Sequence, residues 1–222
     1  CSERELGLSE DHDGIIDLPE DTEIGQSFVS LMGLDDPVIE IALTPDRADC
    51  AGIRGIARDL AATGIGSLKP FAHGETPAAF NTPIQWNRAL GDHGDACPMV
   101  VGRAFRNVTN TASPQWLQDR LRAIGLRPIS ALVDITNYVT FDLGRPLHVF
   151  DIDKLSGDAL TMCFAKPGEK IKALDGKTYT LDDQMTVIGD GAGAQAIAGV
   201  MGGENTGCTE DTTSVFLEIA LF

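Results

Sequence analysis

Thr136-Asn-Tyr-Val-Thr-Phe-Asp-Leu-Gly-Arg-Pro-Leu-His-Val-Phe-Asp151 marks the point where the chain changes its period. Upstream, apolar residues from Pro128 toward Phe141 recur at helical spacing, and Gly144 stands where a helix would close in the left-handed region. Gly144-Arg-Pro146 then makes a turn that presents His148, and beyond Phe150 the β-branched and turn-bounded segments of strands take over. Helices followed by strands in one segment predict a mixed α/β (α+β) domain with helices packed on antiparallel strands.

Elements on either side extend this pattern. Ser113-Pro-Gln-Trp-Leu-Gln-Asp-Arg-Leu-Arg-Ala-Ile-Gly125 carries a cap residue, a proline at the first helical position and a terminal glycine. Within it, Trp116, Leu117, Leu121 and Ile124 read as a core-packing stripe. Strands are expected at 83–86, 99–105, 160–164, 185–188 and 214–221, with a hairpin over 171–181 whose turn signal is Asp175-Gly176. Nearer the start, a short helix is expected over 23–33, a strand over 38–43, and a helix over 49–63 capped by Asp49 and ended by Gly64. Residues 65–97 read as a linker.

The 222 residues, 43% hydrophobic and 23% charged, describe a globular chain. No apolar run approaches the roughly 20 residues of a membrane span, and the acidic opening lacks the basic start and apolar centre of a secretory signal. Cys1 at the first position and the apolar run closing at Phe222 read as a fragment of something longer. The five cysteines, Cys1, Cys50, Cys97, Cys163 and Cys208, form no C-x-x-C pair, which argues against a disulfide framework or zinc site and for reduced thiols in cytosol. Net charge is −16, of which −12 lies in residues 1–97 and −4 in 98–222. That balance opposes phosphate backbones in general. Arg103, Arg106, Arg120, Arg122 and Arg127, with only Asp119 against them, are the local exception and read as a solvated face or a contact for phosphate.

Three places could hold chemistry. His148 can titrate near neutrality or hold a water, or else serve as a surface or capping residue. Ala196-Ile-Ala-Gly-Val-Met-Gly-Gly-Glu204 has glycines that let a ligand approach the backbone, or form merely a bulged turn. Glu218 lies inside an apolar strand, where its carboxylate either faces solvent or is paired and useful. No Walker lysine, dinucleotide glycine pattern or hydrolase elbow is present.

Taken together, Ile41-Ala-Leu-Thr-Pro-Asp-Arg-Ala-Asp-Cys50, Gly55-Ile-Ala-Arg-Asp-Leu-Ala61, Asp134-Ile-Thr-Asn-Tyr-Val139, Gly144-Arg-Pro-Leu-His-Val-Phe-Asp151 and Ala198-Gly-Val-Met-Gly-Gly203 resemble the β subunit of bacterial phenylalanyl-tRNA synthetases. The resemblance covers nearly the whole chain; Val149 and Asp142 stand where Ala and Glu are expected. It implies that residues 1–14 are the trailing end of a tRNA-binding OB-fold insert, 15–67 part of a small B1-like first domain, and 68–222 a B3/B4 editing domain truncated at its end. It further implies an α2β2 heterotetramer in the cytoplasm, in which the α subunit attaches phenylalanine to tRNA(Phe) with ATP and magnesium. No cofactor or metal is implied within this segment. The B3/B4 domain would hydrolyse tyrosine misattached to the tRNA. On the same resemblance His148 and Asn137 are catalytic, while Glu218, Gly202, Gly199, Ala198 and Thr136 bind the tyrosine moiety. His148, Asn137, Gly202 and Glu218 would surround one pocket. The rival readings are a scaffold without activity and a module that binds RNA or an aromatic amino acid without hydrolysis.

Overall fold

The computed structural model describes all 222 residues, in two compact units, Cys1–Ile41 and Ala42–Phe222. The first is built of turns, with Arg4 N donating to Asp11 O and Ile16 N to Cys1 O, and one short helix, α1, Phe28–Leu31. The helix expected over 23–33 is thus reduced to a single turn. No strand forms over 38–43: Val38 and Ile39 are 65% and 75% exposed, and β-branched content without a partner ladder gives only extended chain.

The second unit begins with a 3-10 turn, Ala48–Cys50, and α2, Ile53–Ala62. It continues through β1, Gln85–Ala89, β2, Met99–Arg106, α3, Gln115–Ala123, and α4, Ala131–Leu143. After these come β3, His148–Asp151, β4, Ala159–Phe164, β5, Lys170–Lys172, and β6, Thr178–Thr180. The chain finishes with β7, Thr186–Asp190, β8, Gly193–Ile197, β9, Met201–Gly202, and β10, Ser214–Leu221. One sheet has the order β1-β4-β7-β8-β9, a second β2-β10-β3, and β5-β6 is a separate hairpin. Pairing is antiparallel throughout except for the parallel pair β1 and β4. The fold is mixed α+β.

Helix punctuation is partly non-local. Gly125 and Gly144 take φ of +80° and +70° as helix-ending glycines. Ser113, read as the cap of α3, instead donates its hydroxyl to the fully buried Asp134 on α4, whose other oxygen accepts from Ile129 N at 2.8 Å. The first turn of α4 is served by Asn110 Oδ1, which accepts from Leu132 N at 3.0 Å. Asp49 does not cap α2; it pairs with Arg47 and Arg58. Along α3, Leu117 and Leu121 are buried, whereas Trp116 and Ile124 are half-exposed, with Trp116 edge-on to Tyr138.

The main core lies between the two larger sheets, with Phe150, Phe216 and Ala220 from one and Leu160, Met162 and Ile188 from the other. Against this frame α4 packs on β3 and on α2 and α3. Gly55 on α2 shows how tight the α2 region is, since an added Cβ would strike Asp49 O and lie 2.8 Å from Cys50 Cα. Because those atoms are backbone, Gly55→Ala is expected to lower stability by about 1–3 kcal/mol. A thermal melt of the variant matching the parent would show that the turn before α2 yields.

Candidate functional site

His148 does not sit in a turn. It opens β3, and its direct cross-strand neighbour is Glu218 on β10. Opposed residues of an antiparallel pair project from the same face. Alternation along β10 puts Glu218 with Phe216 and Ala220, both core residues, so that face is the buried one. Glu218 is 4% exposed. The His148 ring stands edge-on to Phe150, centroids 4.4 Å apart, and its Nε2 is buried without a hydrogen-bond partner.

Gly202 completes this group from the other sheet. An added Cβ there would fall on the imidazole, with Nε2 and Leu174 Cδ1 each 3.0 Å away. Glycine is what allows β9 to lie against His148. The structure thus brings His148, Glu218 and Gly202 together from positions 148, 218 and 202.

The other expected site residues are placed less closely. Asn137, expected to close a helix, lies mid-way along α4, which runs on to Leu143. It is half-buried on the helix that packs against β3. Thr136 is buried and its hydroxyl donates to Val133 O within the helix. Ala198 is a core residue whose amide donates to Thr186 O at 3.0 Å. Gly199 takes φ +70° in the turn between β8 and β9 and faces the Phe222 ring. Two concavities, of about 450 and 650 Å³, lie elsewhere, one along α2 beside Phe71 and Leu143, the other around His93 and Phe164.

Burial sets the electrostatics of the pair. It pushes the Glu218 carboxyl up to about 7 and His148 down to about 4, each because the charged form is desolvated. The signs are opposite in pH. For Glu218 the folded value exceeds the ordinary 4.5, so the folded state pays nothing below that pH. Its penalty grows from pH 4.5 to 7, reaching about 3 kcal/mol. For His148, stability present above pH 6.5 is lost as pH falls toward 4. Glu218→Gln, which cannot ionise, is therefore expected to gain stability relative to the parent as pH rises from about 5 to about 8. Urea unfolding at the two pH values checks it, and a gap that does not change with pH would refute the buried-acid description.

A second cluster, Asp49, Cys50 and Asp59, has three potential metal ligands within 4.8 Å of one another. Its carboxylates are already taken: Arg47 binds Asp49 at 2.9 Å and Asp59 at 2.5 Å, and Arg58 also binds Asp49. The hydrogen bond from Arg47 is the main reason that the Asp49 carboxyl is held at about 2. Two guanidinium groups in place make this an ion-pair network and a poor fit for magnesium.

Sequence reasoning passed over the residues beneath the pair, notably Gly102, Phe150 and Phe216. Gly102, a glycine inside a strand and directly opposite Glu218, was the readable signal.

The family described as "B3/4 domain" matches residues 96–222, more than half of the chain. The phenylalanine–tRNA ligase β subunit of Rhodospirillum rubrum is 57% identical over 225 aligned residues, which take in 100% of this chain and 28% of that protein. The β subunit of Ruegeria pomeroyi is also 57% identical, over 99% of this chain and 28% of its own length. The chain spans little more than a quarter of these relatives. An N-terminal fragment of the phenylalanyl-tRNA synthetase β-subunit from Pyrococcus horikoshii aligns over 78% of the chain and 52% of its own, with 17% identity and a TM-score of 0.45, too distant to bear on the assignment. With a family match over residues 96–222, more than half of its length, the chain belongs to the B3/4 domain family.

Proposed function

We propose that this chain is the editing segment of a phenylalanine–tRNA ligase β subunit and hydrolyses tyrosine misattached to tRNA(Phe). The observation that carries this reading is the buried, directly opposed pair Glu218 and His148, closed by Gly202. A pocket made for phenylalanine rejects an added hydroxyl poorly, so accuracy calls for a second site that requires that hydroxyl. Glu218, on an apolar face with no cation beside it, is suited to that task. A tyrosine phenol would donate to its carboxylate, whereas a phenylalanyl ester would leave the buried group unpaired at a cost of about 1–3 kcal/mol. His148, kept neutral by burial, and Asn137 would orient the attacking water at the ester carbonyl. Amides around Gly199 and Gly202 would receive the developing oxyanion or the phenol. Thr136 and Ala198 shape the walls.

On this reading residues 1–14, 15–67 and 68–222 are the end of an OB-fold insert, part of a B1-like domain and the editing domain. Aminoacylation with ATP and magnesium belongs to an α subunit within a cytoplasmic α2β2 assembly. No helix of this chain is long and apolar enough to cross a membrane. The test is release of tyrosine from Tyr-tRNA(Phe) by the intact enzyme and by the 222-residue chain. Tyrosine release no faster than phenylalanine release from Phe-tRNA(Phe) in the intact enzyme would end the proposal.

A further inference from the structure

Gly102 lies in the interior of β2, directly across from Glu218. A side chain at such a position would ordinarily strengthen the ladder, so its absence calls for a reason. The neighbouring structure supplies one. Phe216, two residues before Glu218 on the same face and 2% exposed, lies over Gly102: an added Cβ would strike its ring, with Cε2 and Cε1 at 2.8 and 3.0 Å. Trp86 of β1 stacks on Phe216, ring centroids 6.4 Å apart and planes 14° from parallel. The indole Nε1 is buried without a hydrogen-bond partner.

We propose that Gly102 is a positioning residue for substrate discrimination: by leaving room for Phe216 to lie across β2 against Trp86, it builds an apolar floor under Glu218 and keeps water from its carboxyl. This rests on the reading of Glu218 as the group that recognises a substrate hydroxyl. The titratable neighbours of Glu218 are few. His148 faces it from β3, and Cys97, fully buried just before β2, is close enough for the carboxylate to help raise its thiol pKa. Arg88 of β1, the cation that acts on Cys97, donates to the carbonyls of Cys97 and Pro98 at 3.1 and 3.0 Å. On β2 the opposed residue is Gly102 itself. Buried at 4% exposure and without an ion-pair partner, the carboxyl gains most from a ligand that brings its own hydroxyl, and a phenyl ring brings none. Discrimination of phenol from phenyl is then set by the dryness of the floor as much as by Glu218.

The test uses Gly102→Ala and Phe216→Leu, the second keeping an apolar side chain where the first displaces a ring. In the 222-residue chain, the carboxyl of Glu218 is titrated by carbon NMR. In both variants its midpoint is expected to fall by about one pH unit, because water reaches it. In the intact enzyme the ratio of Tyr-tRNA to Phe-tRNA hydrolysis is expected to fall about tenfold, the factor carried by one such unit, and the pH inflection to move the same way. Gly102→Ala added to Phe216→Leu should do no further harm, since the leucine has vacated the ring's place. A folded Gly102→Ala protein with the parent's midpoint and ratio overturns the proposal, as does additive loss in the double variant. Should Glu218→Ala leave tyrosine release intact, the hydroxyl-recognition reading falls and takes the specificity role with it, while the shift in midpoint still reports the floor on its own.

Discussion

Glu218→Ala in the intact enzyme is expected to slow hydrolysis of Tyr-tRNA(Phe) by tenfold or more while aminoacylation persists. The magnitude follows from one hydrogen bond to a charged group, about 1.5–3 kcal/mol. Glu218 is 4% exposed and burial raises its carboxyl, so a phenol that donates to it relieves a desolvated group, which backbone amides, being donors, cannot do. Removing it leaves a small apolar hollow that accepts phenyl and phenol alike. The Tyr-to-Phe ratio should therefore collapse along with the rate. Parallel loss of aminoacylation and editing would instead assign Glu218 to folding.

Phe150→Ala should give the largest loss of stability at this site, about 3–5 kcal/mol. Phe150 is fully buried in the core between the sheets, and it is the ring against which His148 stands. For a domain of this size each kcal/mol corresponds to about 2–4 °C, so the melting temperature should fall by about 6–20 °C. Editing should fail with it, because the imidazole loses the surface that fixes its orientation. Phe150→Leu retains most of the buried volume and should retain most of both properties. A Phe150→Ala protein melting within about 2 °C of the parent would show that the core closes around the gap.

Much of the fold was legible where local signals agree. The bounds of β10, 214–221, and the glycines after α3 and α4 follow from composition and left-handed φ alone. The limits are equally physical. β10 is apolar on both faces, with Val215, Leu217 and Ile219 on one and Phe216 and Ala220 on the other, so its pattern cannot say which way Glu218 points. Only pairing with β3, some seventy residues away, decides it. The same distance hides the role of His148, whose turn-like approach through Gly144-Arg-Pro146 masks its membership of a strand. Asn110 as the donor-satisfying partner of α4 and Asp134 as the acceptor for Ser113 are tertiary choices that override a good local cap. Over 38–43 the error ran the other way, with strand content and no ladder to join.

The central place of β10 in its sheet also governs the order of events during synthesis. Its partners β2 and β3 are made first and are not neighbours in the finished sheet, where β10 lies between them. At about 5–20 residues per second, β2 waits several seconds or more on the ribosome before residues 214–221 arrive. During that interval two apolar strands stand with open edges, the state most prone to capture by other chains. The contact between His148 and Glu218 cannot form until residues 214–221 have left the exit tunnel, so any competence that depends on it is withheld until then.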